Sequence, residues 1–300
     1  MYLPERNADE NGRRTRKMTA TTVLAAYLTA SAVAAAAGII GGRTPVAVFV
    51  VHVAALCVTL WVVRRRIDSV LTDWLPIVVI PFLYAELPSI HVGSLHDAIV
   101  QRWEGDWFGA SPAHVAAARW PNHALSELLH AAYLSYYAII VLPPLVLYLA
   151  GDRAEFARVT AGLVTIFALC FTIFIVFPVA GPRYEWSAPP GVYDGPIRRF
   201  VLHVLEAGSS KGTAFPSSHV AVAAAQSVMT LGWNRRFGVG LSVVTLLLAA
   251  GAVYGGFHYA VDAAAGGLIG CAVGTVFSFA HRDESVGAEV ATADLGLATE

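Results

Sequence analysis

Two histidines, an aspartate and an arginine fall in or beside apolar stretches, where a titratable side chain is costly and marks a candidate site. His258 and Asp262 are four positions apart, the spacing that puts two side chains on one helix face. A carboxylate beside one imidazole nitrogen fixes the tautomer and leaves the other nitrogen free as nucleophile or base. An isolated His-x-x-x-Asp is more often a plain surface pair; its apolar setting here favours the functional reading. Phe215-Pro216-Ser217-Ser218-His219 opens another apolar stretch. Serine is a favoured N-cap and proline is tolerated at a helix start, so free amides there can bind phosphate. His219, in the first turn, can protonate a departing oxygen; on its own, the motif is as readily a capping motif with a chance histidine. Arg183 closes the preceding stretch after Gly181-Pro182, and Lys211 stands six positions before Ser217. Both can clamp a phosphoryl group. Arg198 and Arg199 are weaker candidates, because loop cations more often face headgroups or solvent. Together these groups can transfer a phosphoryl group through a phosphohistidine without a metal. His258 attacks, His219 donates a proton, Asp262 holds His258, and Arg183, Ser217, Ser218 and Lys211 bind the phosphate.

The elements that must position them are membrane helices. The 300 residues are 56% hydrophobic and 14% charged, against about 45–50% and about 25% in ordinary globular domains. A net charge of −1 offers no basic surface for nucleic acid. The composition excludes disorder, collagen and a disulfide scaffold. Cys57, Cys170 and Cys271 lie in apolar stretches and read as small hydrophobes.

Apolar runs long enough to span a bilayer occur at about 18–41, 45–63, 74–90, 124–149, 158–180, 215–232, 237–255 and 257–280. The expectation is an all-α polytopic bundle of eight transmembrane helices. Eight spans put Arg6, Arg13, Arg14, Arg16, Lys17, Arg64, Arg65, Arg66, Arg153, Arg158, Arg235, Arg236 and Arg282 on one side, read as cytoplasmic with both termini. Arg43, Arg102, Arg119, Arg183, Arg198, Arg199 and Lys211 fall on the other. This assignment uses none of the three motifs, yet it places all of them at outer helix ends. The expected organisation is a basic tail at 1–17, an accessory helix pair at 18–63, a catalytic domain at 64–280 and a disordered acidic tail at 281–300. The outer loop 91–123, with Asp97, Trp103, Glu104, Asp106, Trp107 and Trp120, suits a helix lying at the membrane interface.

The motif set resembles the phosphatidic acid phosphatase type 2 superfamily, which shares its fold with vanadium haloperoxidases. Pro216-Ser217-Ser218-His219 matches the family's second motif, His258 and Asp262 the end of its third, and Arg183 the arginine that ends its first. The resemblance covers roughly residues 124–280 and implies a six-helix core made of the last five spans and the third. It also implies a multi-pass enzyme without cofactor or metal, acting on lipid phosphate esters at the extracytoplasmic face of a bacterial plasma membrane.

Two of the usual family cations are missing. Val176 stands where the first motif commonly has lysine, and Gly251-Ala252 where the third has Ser-Arg. Lys211 is a candidate substitute. The pattern Tyr254, His258-Tyr259, Asp262 is similar to the inositol phosphorylceramide synthase (aureobasidin-resistance) and sphingomyelin synthase-like branch. That likeness implies transfer of a phospho-headgroup between lipids as the alternative to hydrolysis. A transporter or flippase would show inverted repeats and a midplane site, and no repeat is visible. An inactive scaffold would lack one of His219, His258 or Asp262. A haloperoxidase is disfavoured by the missing cations.

Glu127 and His130 have the Glu-x-x-His spacing of di-iron bundles, but no second copy exists. They, and Glu86, are expected at most to border the substrate cavity. His52 reads as an interior histidine, and Tyr133, Tyr136 and Tyr137 as packing or interface anchors.

Overall fold

A computed structural model of the chain describes residues 5–65, 69–90, 93–188 and 191–297, with side-chain surroundings from residue 20 to 279 of these. Among them lie α1 (Glu5–Ile40), α2 (Val46–Arg65), α3 (Val70–Glu86), α4 (Asp97–Phe108), α5 (Pro112–Arg119), α6 (His123–Leu134) and α7 (Tyr136–Leu149). There follow α8 (Arg153–Val176), α9 (Pro182–Glu185), α10 (Pro196–Gly208), α11 (Ser218–Trp233), α12 (Arg235–Tyr254) and α13 (Ala260–Leu297). No strand occurs among the described residues; Val179 and Thr213 form an isolated parallel bridge. The chain is an all-α, multi-pass membrane bundle.

Side chains that satisfy free amides start several of these helices. Ser69 and Thr72 form a capping box on α3, and Asn122, Asp152 and Asn234 cap α6, α8 and α12. Asn234 is also the single residue joining α11 to α12.

Among the described residues six helices are long and apolar enough to cross a membrane, or seven if α6 and α7, bent by 46° at their break, count as one span. The span expected at 124–149 is this pair. At the break, the Ser135 hydroxyl donates to Ala132 O at 2.6 Å, the kind of back-bonding that bends helices. The span expected at 215–232 is α11, which at 16 residues is too short to count by length. The fifth span starts at Arg153, earlier than expected, so Arg158 is a buried helix residue and not a loop cation. It pairs with Glu155 and donates to Phe277 O at 3.0 Å and Met229 O at 3.3 Å. That cluster ties α8, α11 and α13 together.

Helix α1 starts at Glu5, inside the stretch expected as a basic tail, and α13 runs to Leu297, inside the stretch expected to be disordered. Arg66 lies outside the described residues, and the side chains of Arg6, Arg13, Arg14, Arg16, Lys17 and Arg282 outside those whose surroundings are described.

The core centres on α8 and α11. Helix α1 packs on α8 and α2 on α1, while α12 and α13 flank α11. Leu163, Ile166, Cys170 and Phe171 of α8 meet Leu24, Tyr27 and Leu28 of α1 and Ala221, Ala225 and Met229 of α11 in one apolar cluster. Cys57 and Cys271 are exposed, and all three cysteines are free.

Close approach of α11 and α13 depends on glycine. A Cβ on Gly266 would collide with the Ser217 carbonyl, one on Gly270 with the Ala221 carbonyl, and one on Gly274 would stand 2.9 Å from the Ala225 carbonyl. Small residues every fourth position let membrane helices touch along their backbones. This contact brings the first turn of α13 against the first turn of α11, which carry the two histidine motifs.

Candidate active site

The three motif loops meet at one end of the bundle. Ala214 N–H donates to Val179 O at 2.9 Å, joining the segment before Arg183 to the segment before Pro216. The carbonyl of the same Ala214 accepts from His258 Nδ1 at 3.1 Å. Ser217 N–H donates to Asp262 O at 2.9 Å, closing the triangle. Gly181, with φ +94, leaves no room for a side chain beside Ala214.

His258 does not sit on a helix, as the four-residue spacing suggested. It lies in the turn before α13, and Asp262 is the third residue of that helix. Asp262 Oδ2 accepts from Tyr259 N–H at 2.9 Å, an acid three residues into a helix reaching back to the capping position. The carboxylate stands 3.6 Å from His258 Nδ1, too far for a good hydrogen bond. The main-chain carbonyl of Ala214 therefore fixes the tautomer and Asp262 supplies negative charge. In the neutral ring, a proton on Nδ1 makes Nε2 the lone-pair nitrogen.

His219 is the second residue of α11, its ring centre 5.5 Å from that of His258. It lies between Tyr133, stacked at 4.8 Å, and Tyr136 at 4.0 Å. His219 Nε2 meets the Tyr133 hydroxyl at 3.2 Å, and Nδ1 has no protein partner. Both tyrosines, expected only to pack, thus hold the second histidine. Ala252, at the position of the family's missing third-motif arginine, is fully buried among Tyr133, Val201, Leu205 and Phe257. Gly251 meets the Leu129 carbonyl so closely that a Cβ would collide. Packing against α6 fills the space in which a long cation would lie.

A cavity of about 340 Å³ opens onto both histidines, lined also by Arg183, Ser218, Ser209 and Tyr84. Arg183 is half-buried and donates to Ser209 Oγ at 3.0 Å, with its guanidinium 5.3 Å from the Tyr184 ring. Ser218 borders the cavity, whereas Ser217 is fully buried and its hydroxyl caps Val220 N–H. Lys211 is exposed beside the Tyr184 ring at 5.9 Å and does not border the cavity. Pro81, Tyr84 and Ala85 of α3 form one wall, so the third span builds the site. Tyr84 OH is 3.0 Å from Thr213 Oγ1 and accepts from Ser210 N–H at 3.3 Å.

Helix α4, at 12 residues too short to span a bilayer, supplies two positioning residues. Asp97 is buried and accepts from Ala180 N–H at 2.8 Å, Gly181 N–H at 2.9 Å and Tyr259 OH at 3.2 Å. One carboxylate thus fastens the Arg183 loop to the residue after His258. Burial, together with the Asp97 charge, pushes the Tyr259 phenol up, so it stays a donor. Glu104 is fully buried and accepts from Ala260 N–H and Ser111 Oγ. Burial pushes its carboxyl above the ordinary range, with these hydrogen bonds opposing the shift. Their one legible signal is helical: Asp97, Val100, Gln101 and Glu104 share a face.

Of the residues weighed earlier, Glu127 caps α10, accepting from Ile197 N–H at 2.9 Å and Arg198 N–H at 3.2 Å. His130 is buried and its Nδ1 donates to Ser126 O at 2.6 Å. Neither borders the cavity. His52 is fully buried, 3.1 Å from Glu86. Among the described residues no three acidic, histidine or cysteine side chains gather as a metal site.

No curated protein and no solved structure matches the chain. A family model described as PAP2 superfamily matches residues 98–276, more than half of the chain and all three motif loops. With that match over the segment that carries both histidines, the chain belongs to the PAP2 superfamily.

Proposed function

We propose that the chain is an integral-membrane phosphatase or phosphotransferase that acts on lipid-linked phosphate esters through a phosphohistidine at His258. The observation that carries this is the divided environment of His258: Nδ1 is engaged by the Ala214 carbonyl, leaving Nε2 free on a ring that borders the cavity with His219. Nε2 attacks phosphorus, the bond from phosphorus to the leaving oxygen breaks, and protonated His219 gives that oxygen its proton. Neutral His219 then takes a proton from water, which attacks phosphorus. The P–N bond breaks, and phosphate leaves. Arg183, Ser218 and the first amides of α11 offset the charge on the equatorial oxygens. Asp262 opposes the positive charge that His258 acquires.

Pro81 and Tyr137, on membrane-spanning helices, are exposed at the cavity rim, which suits entry of a lipid from the side. The reading places the site at the extracytoplasmic face with both termini cytoplasmic. A second reading, transfer of a phospho-headgroup to another lipid alcohol as in inositol phosphorylceramide synthase, is favoured by Gly251-Ala252 and the tyrosine-rich cavity wall.

One experiment separates them. Purified protein in mixed micelles receives labelled phosphatidate and phosphatidylinositol with excess ceramide or diacylglycerol, beside His258→Ala. Label released as inorganic phosphate by the wild type alone marks a phosphatase. Label moved to the added lipid marks a transferase. Equal turnover by His258→Ala refutes the mechanism.

A further inference from the structure

A second cavity, about 190 Å³, lies against the first. Arg183 and Phe257 border both, and Arg198, His114, Ser187 and Trp186 add to its wall. Arg183, Arg198 and His114 border this small space, and among the described residues no acidic residue borders it. Arg198 is only 9% exposed. Its Nη1 donates to Asp194 Oδ1 at 2.8 Å, yet its Nε is buried with no partner among the described residues. A buried charged donor left unmatched is costly. The amides at the start of α10 are already taken by Glu127, so the polar side of this wall is the arginine side chain itself. Asp194, the acid paired with the Arg198 guanidinium, is 59% exposed and so opposes its charge weakly.

We infer that this second cavity is a phosphate-class anion subsite, which Arg183 shares with the reaction centre and Arg198 completes. The inference rests on the reaction proposed above for the neighbouring cavity. Its occupant is either a second phosphate on the substrate headgroup or the inorganic phosphate released by the reaction. A guanidinium between two anions offsets both, so occupancy of the subsite holds Arg183 facing the reacting group.

The test titrates the full-length protein in detergent with inorganic phosphate by calorimetry. The wild type should take up two phosphates, Arg198→Gln one. Asp194→Asn, which frees Arg198 Nη1 at an exposed position, should tighten the weaker site severalfold and so reports even where Arg198→Gln fails to fold. A single site in wild type and Asp194→Asn alike overturns the inference.

Kinetics name the source. If the headgroup supplies the anion, Arg198→Gln raises the ratio of KM for doubly over singly phosphorylated lipid about tenfold. If the released product supplies it, that ratio holds and inhibition by inorganic phosphate weakens about tenfold. Two-site binding by a protein that turns over no phosphate ester sinks the proposed reaction and leaves the anion site standing.

Discussion

Replacing Asp262 with Asn tests how His258 is activated. The substitution is nearly isosteric, and its carbonyl oxygen still accepts from Tyr259 N–H, so the start of α13 is preserved. The tautomer of His258 is also preserved, because Nδ1 donates to the Ala214 carbonyl at 3.1 Å, a main-chain group that the mutation leaves in place. What disappears is a negative charge 3.6 Å from a ring that the proposed mechanism makes cationic on phosphorylation. At an effective dielectric of ~20, a full charge pair at that distance interacts by about 4–5 kcal/mol. With half the charge developed in the transition state, the loss is about 2 kcal/mol, or ~30-fold in rate. The assay is rapid-quench measurement of phosphoenzyme formation on a labelled lipid phosphate, with kcat/KM beside it. A loss near the ~10⁴-fold seen when a catalytic histidine is trapped in the wrong tautomer would refute the reasoning by making Asp262 the tautomer holder. A rate within about twofold of wild type would refute it from the other side, because no charge would then be opposed.

Three further outcomes follow from the same geometry. Gly266→Ala forces α13 away from the Ser217 carbonyl, and a displacement of about 1 Å at the site should cost ~10²-fold in kcat. Gly267→Ala, whose Cβ would meet only Val220 at 3.7 Å, is the matched control, and equal activities of the two would refute the packing argument. Glu104→Gln should remove a pH dependence of stability. A carboxyl raised by burial contributes stability that is present below its unfolded value of ~4.3 and lost as pH rises through its folded value. The wild-type unfolding temperature should therefore fall relative to the Gln variant above that point, and a constant difference would show that Glu104 does not titrate differently on folding. Vanadate should compete with substrate as a five-coordinate phosphate mimic while EDTA leaves the rate unchanged; loss with EDTA that magnesium restores would refute a metal-free step.

The fold class was legible because apolar runs survive without knowledge of tertiary structure. Less legible was where helices break: the bend at Ser135 depends on one hydroxyl reaching a carbonyl three residues back, which no periodicity encodes. His258 and Asp262 were recognisable as a pair, but the helical spacing that drew attention to them is not the local geometry, since His258 precedes α13. Tyr133 looked like packing and does pack, yet its hydroxyl also meets His219; the two roles look alike in a sequence. Asp97 was legible only as a member of a helix face, for a different reason. Its partners are two main-chain amides more than eighty positions away and a phenol still farther along the chain, and amides carry no sequence signature.

The wall that α3 contributes to the cavity has an evolutionary consequence. The imidazoles, the serine and the arginine, and the main chain that orients them, all lie within residues 98–276, whereas Pro81, Tyr84 and Ala85 stand before that segment. Substitutions at these three positions reshape what the site admits without touching a group that makes or breaks a bond. Part of the cavity wall thus stands outside the stretch that carries the histidines. A change in the shape of the cavity can therefore arise by drift in α3 while the histidine motifs stay as they are.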